Sequence, residues 1–138
     1  MPFNLAVFNS GAADEVYNKL PGIKNWYIGG HSLGGAMASS YASKHQDKVK
    51  GLILLGAYVY GGISPDDALT IYGSNDHVMD QTKVDYTPNV HVINGGNHAQ
   101  FGNYGLQKGD GTATITREQQ QDETAGLILD FIKSKNGQ

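Results

Sequence analysis

Cysteine is missing altogether from this 138-residue chain. No disulfide and no thiolate metal site can therefore contribute, and cysteine usage carries no information about redox compartment. Charge is sparse as well. Only 17% of residues are charged, and 10 Lys and Arg against 13 Asp and Glu leave a net charge of −3. No Lys/Arg stripe exists to neutralise phosphates, which excludes a dedicated nucleic-acid binder. No apolar run approaches the ~18–20 residues that a membrane span requires, and the N-terminus lacks the basic-then-apolar layout of a secretory signal. A soluble cytoplasmic protein with no membrane partner is the default expectation. Metal-site spacings of the H-E-x-x-H kind are also absent, and Lys108-Gly109-Asp110-Gly111 reads as a turn without a calcium ligand set. Neither a cofactor nor a metal is expected.

Glycine, by contrast, is abundant at 19 residues, which suits a compact α/β protein better than a disordered or coiled one. With no internal repeat and no linker, residues 1–138 read as a single domain. A chain of this length buries roughly 68% of its unfolded surface without staples. Residues 3–8 form a short alternating apolar run, a strand or an extended lead-in. Asn9 or Ser10 can cap a helix with Asp14 and Glu15 in its first turn, ended near Leu20 by Pro21-Gly22. Strands are expected at 25–29, 49–56, 68–73 and 89–94, the second apolar on both faces as in a parallel sheet. A helix follows the first strand to about His45. Residues 61–67 and 102–112 are loops. Thr116-Arg117-Glu118-Gln119 is a T-x-x-Q capping box opening a last helix to about Ser134, with Leu127, Ile128, Phe131 and Ile132 on one face. Strands alternating with helices predict a three-layer α/β/α sandwich on a short, mostly parallel sheet. Ligands in such sheets bind beyond the carboxyl ends of the strands.

The chemistry-bearing words fall at those ends. Gly30-His31-Ser32-Leu33-Gly34 is a G-x-S-x-G pentapeptide between a buried strand and a run of small, helix-compatible residues, the context of a nucleophile elbow. A serine at the tip of so sharp a turn needs neighbours nearly free of side chain, and Gly30 and Gly34 meet that demand. The Leu33 N–H and the helix start behind it would face negative charge developing above the hydroxyl. A serine needs a base, and the base an orienting acid. Asp76 follows the third strand and His98 the fourth, giving the order Ser…Asp…His. Asp80 is the reserve acid, four residues further from the strand end. Each residue alone has a plainer reading: a turn-forming Asp, a solvated loop His, glycines that merely allow close packing. The common order and the shared strand-end placement favour the constellation. Of the other histidines, His31 is expected to pack or bond locally, and His77 to lie at the surface. His45 suits the negative end of a helix, and His91 is structural.

Taken together, Trp26 through Gly35, Ile71 through Asp76 and Gly95 through Gly102 resemble the α/β-hydrolase superfamily, more narrowly its small bacterial dienelactone-hydrolase-like group. Tyr104-Gly105, Lys108 through Ala113 and the glutamine-rich start of the last helix share the resemblance. It implies Ser32 as nucleophile, His98 as general base and acid, Asp76 as its orienter and Leu33 N–H as one oxyanion donor. Members of that superfamily usually place the nucleophile on their fifth strand. Here only residues 3–8 and one helix precede it, so the implied fold is a truncated one. The loop that would supply a second oxyanion N–H is missing with those strands. The strand at 25–29 is then a sheet edge, covered either by residues 3–8 or by a second copy of the chain. The expected activity is a serine hydrolase cleaving small carboxylic esters through an acyl-enzyme. A lactone or dienelactone hydrolase is the alternative, and a catalytically impaired binding or assembly module is the rival from another class.

Overall fold

The computed structural model describes residues 11–138. The run at 3–8 and the expected Asn9 or Ser10 cap lie outside the described residues, and Gly11 is the N-cap of the first helix. Four strands, β1 (Trp26–His31), β2 (Val49–Leu55), β3 (Ala68–Gly73) and β4 (Val90–Ile93), form one all-parallel sheet in the order β1-β2-β3-β4. Three α-helices accompany them: α1 (Ala12–Lys19), α2 (Leu33–Lys44) and α3 (Arg117–Lys135). β1 runs two residues further than the sequence predicts, because Gly30 and His31 pair with Leu54 and Leu55 before the turn begins.

Alternation along β2 builds the three layers. Leu52 and Leu54 point one way and join Ala38 and Ala42 of α2, with Ile28 of β1 beside them. Ile53 and Leu55 point the other way and pack with Leu127, Ile128 and Phe131 of α3, alongside Leu69, Ile71 and Ile93. Successive residues of a strand face opposite sides, so one apolar run serves both helical layers. Burying each of these large aliphatic side chains contributes about 1.5–3 kcal/mol. The expected α/β/α sandwich is therefore present, with a short sheet that is wholly parallel.

Caps place the helix ends. Thr116 and Gln119 form the reciprocal capping box of α3, each side chain taking the other residue's N–H. His45 closes α2, its Nδ1–H donating to the Tyr41 carbonyl at 2.8 Å. Short 3₁₀ turns occur at Pro65–Asp67, Gln81–Lys83 and Ala99–Phe101. Among the described residues β1 is an edge strand, and no helix is long and apolar enough to cross a membrane.

Candidate active site

Ser32 stands between β1 and α2 with φ +56° and ψ −123°, and it is the one described non-glycine residue at positive φ. Such a backbone costs on the order of 1–3 kcal/mol and persists only where its surroundings impose it. Two hydrogen bonds do so: Ser32 N–H donates to the Leu55 carbonyl at 3.0 Å, and Ala36 N–H donates to the Ser32 carbonyl at 3.2 Å. The turn is also tight. A β-carbon at Gly30 would stand 2.3 Å from the Gly34 carbonyl carbon and 2.6 Å from the Gly35 nitrogen. Gly34 is different from the sequence expectation, since a β-carbon there would meet nothing within 4 Å. Gly34 matters through its backbone, which crowds Gly30, and not through any lack of room of its own. Leu33 opens α2, so its N–H has no carbonyl one turn back to bond, and the Ser32 side chain does not cap it.

Asp76 and His98 come together from different loops. His98 Nδ1 lies 2.7 Å from Asp76 Oδ2, and both side chains are buried. The other carboxylate oxygen, Oδ1, accepts the N–H groups of Val78 and Met79, each at 2.9 Å. Burial alone would push the Asp76 carboxyl up. The His98 bond and the two backbone donors outweigh it and hold the group below its ordinary 3.8. Asp76 is thus a carboxylate, and a carboxylate only accepts, so His98 donates from Nδ1 and leaves Nε2 bare in the neutral ring. That Nε2 is buried and has no hydrogen-bond partner among the described residues, Ser32 included. Asp80, the reserve acid, is exposed and instead caps its own turn, accepting from Thr82 N at 3.0 Å and Thr82 Oγ1 at 2.6 Å.

The serine turn and His98 are joined by His31. Its bond is not local: Nε2–H donates to the His98 carbonyl at 2.8 Å across 67 positions of sequence. The ring stacks on Tyr104, centroids 5.4 Å apart and 12° from parallel, with the His98 ring 4.6 Å away. Burial, helped by the neighbouring His98, pushes the His31 pKa below 6.5. The remaining histidines fall as expected. His77 is exposed, and His91 sits within the β3–β4 pairing opposite Ile71.

Three residues escaped the sequence reading. Gly56, just beyond β2, presses on the His98 ring. Asp110 accepts the N–H groups of His98 at 3.2 Å and Ala99 at 2.9 Å. Gln120 is fully buried, its Oε1 accepting from Asn97 N at 3.1 Å and its Nε2 donating to the Asn97 carbonyl at 2.8 Å. The three consecutive glutamines 119–121 were a signal. A helix turns each by about 100°, so one caps, one is buried and the third reaches the Gln100 carbonyl.

No curated relative matched the chain. The sequence profile of the Alpha/beta hydrolase family matches residues 1–122. A match of that extent, on a chain whose parallel sheet and serine turn agree with it, makes this protein a member of the α/β-hydrolase family and a hydrolase in that general sense.

Proposed function

We propose that the protein is a serine hydrolase of small carboxylic esters, with Ser32 as nucleophile, His98 as base and acid, and Asp76 as the orienting carboxylate. The observation that carries the reading is the buried Nε2 of His98, without a partner among the described residues, on a ring whose Nδ1–H is fixed by Asp76. A buried polar atom left unpaired costs about 1–3 kcal/mol, which a purely structural histidine would avoid by turning toward a partner. Nucleophile–base bonds are often open in free enzymes and tighten on substrate.

In the reaction, Ser32 Oγ attacks the ester carbonyl as Nε2 takes its proton. The tetrahedral oxyanion accepts from Leu33 N–H, the proton passes from Nε2 to the leaving alkoxide, and an acyl-serine remains. Water then attacks the acyl carbon and gives a proton to Nε2. The returning proton on Ser32 frees the carboxylic acid. Asp76 keeps the imidazolium oriented and stabilised without taking its proton. Among family members, the words shared with the dienelactone-hydrolase-like group make lactones the competing substrates. Among the described residues no strand flanks the outer edge of β1, which supports a homodimer in which a second copy pairs there, and a monomer by light scattering at micromolar concentration would sink that part of the reading.

The test is hydrolysis of p-nitrophenyl acetate with labelling by a fluorophosphonate probe. Wild type is expected to turn over and to label, and Ser32→Ala to do neither. Equal turnover by the two proteins would overturn the assignment. A panel of acyl lengths and lactones then fixes the substrate class.

A further inference from the structure

We propose that Asp110 is a positioning residue for His98: its carboxylate grips the main chain of the base and so keeps the ring on Asp76. The inference rests on the reading of His98 as the base. Asp110 Oδ1 accepts from His98 N at 3.2 Å and from Gly111 N at 2.8 Å, and Oδ2 accepts from Ala99 N at 2.9 Å. An aspartate that merely formed its own turn would bond only its near neighbours. This one reaches back 12 and 11 positions to two successive amides. Two oxygens on two successive N–H groups fix the two peptide planes that flank the His98 Cα, and with them the direction in which the His98 side chain leaves the backbone.

The other side of the same residue is also held. His98 C=O accepts from His31 Nε2–H at 2.8 Å, so the base is fixed at its N–H, its carbonyl and its ring. Asp110 touches the acid loop too, through a longer contact of 3.4 Å from His77 N, the residue after Asp76. The two loops are in direct contact here. A β-carbon on Gly111 would stand 2.0 Å from the Asn75 carbonyl oxygen, so the 110–111 segment lies flat against the strand end that carries Asp76. One carboxylate therefore sets the spacing between acid and base. An error of about 1 Å in such a spacing costs on the order of 10²-fold in rate.

The experiment compares Asp110→Ala and the nearly isosteric Asp110→Asn with wild type, using kinetics with p-nitrophenyl acetate and the downfield proton resonance of His98 Nδ1–H. The resonance is assigned by its loss in Asp76→Asn. Expected in the folded Asp110→Ala protein is a fall in kcat on the order of 10²-fold with little change in KM, and a shifted or broadened Nδ1–H signal. Asp110→Asn, which keeps one carbonyl acceptor, falls between. The proposal is overturned if the resonance and kcat match wild type in both variants. It is equally overturned if lost activity only tracks the loss of folded protein while the resonance of the folded fraction is unmoved. Should Asp110→Ala not fold, Asp110→Asn decides alone. If wild type hydrolyses no ester, the ester reading fails by that result, and the Nδ1–H signal still decides the positioning role.

Discussion

Gly56 lies against the ring of His98: a β-carbon there would stand 2.8 Å from Nδ1, 2.9 Å from Cε1 and 3.3 Å from Asp76 Oδ2. The contact links His98 to the serine turn through the end of β2, because the carbonyl of the preceding residue, Leu55, is the one that holds Ser32 N–H. Gly56 also has φ +55°, where an L side chain costs about 1–2 kcal/mol. Gly56→Ala is expected to lose that much stability in urea unfolding. Because the methyl must displace the ring from Asp76, it should also lower kcat on the order of 10²-fold.

Asp76 and Asp80 are separated by environment, and the two substitutions should diverge. Asp76→Asn removes the partner that fixes the His98 tautomer and is expected to reduce kcat on the order of 10⁴-fold. Asp80→Asn, on an exposed side chain, should leave ester hydrolysis at the wild-type level. The Asp76 carboxyl is held below its ordinary 3.8 when folded, so the unfolded chain binds the proton first. Its contribution is full above that value and is lost as pH falls through the folded pKa. Acid titration of unfolding should therefore be shallower for Asp76→Asn than for wild type in that range.

At the elbow, Gly30→Ala and Gly34→Ala test the crowding directly. The atoms that a Gly30 methyl would strike are all backbone, the nearest at 2.3 Å, and backbone cannot step aside as a side-chain end can. A cost of about 1–3 kcal/mol or more is expected, together with loss of fluorophosphonate labelling. Gly34→Ala meets open space inside α2. Thermal unfolding should show it neutral or stabilised by about 0.5–1 kcal/mol, the ordinary helix preference of alanine over glycine.

His31 gives a second pH signature. Its pKa is pushed below 6.5 in the folded protein, first by burial and then by His98, so acidification protonates the unfolded chain before the folded one. Stability from this source is complete above about pH 6.5 and is lost as pH falls through the lower folded value. His31→Gln retains an N–H donor for the His98 carbonyl and removes the titration. Denaturant midpoints measured at about pH 7.5 and about pH 5.5 should fall further for wild type than for His31→Gln.

Much of the molecule was legible in the sequence because the signals were local. Leu52 through Leu55 announce a strand by their unbroken apolar run and Ile28 by its β-branching, Pro21-Gly22 ends α1, and Thr116 with Gln119 marks the start of α3 three positions apart. The serine turn was readable for the same reason, since strand, glycine, serine and small-residue helix are contiguous. Where the reading went astray, the cause was distance. Gly34 looked as constrained as Gly30, because spacing alone does not tell which of two glycines supplies the backbone that crowds the other. His31 flanks the serine and its position suggests a local contact, yet its partner is the His98 carbonyl.

The sequence by itself determined the strand and helix order, the strained serine and the candidacy of Asp76 and His98 at strand ends, each from a pattern only a few residues long. Tertiary structure alone decided that Asp76 and not Asp80 meets His98, that Gly56, His31 and Asp110 contact the same residue, and that Gln120 bonds the neighbouring Asn97. The physical reason is that these contacts join segments distant in sequence, most of them loops. Loop conformation is set by hydrogen bonds made across dozens of positions, after the parallel sheet has brought its carboxyl ends together, and no short stretch of sequence contains them.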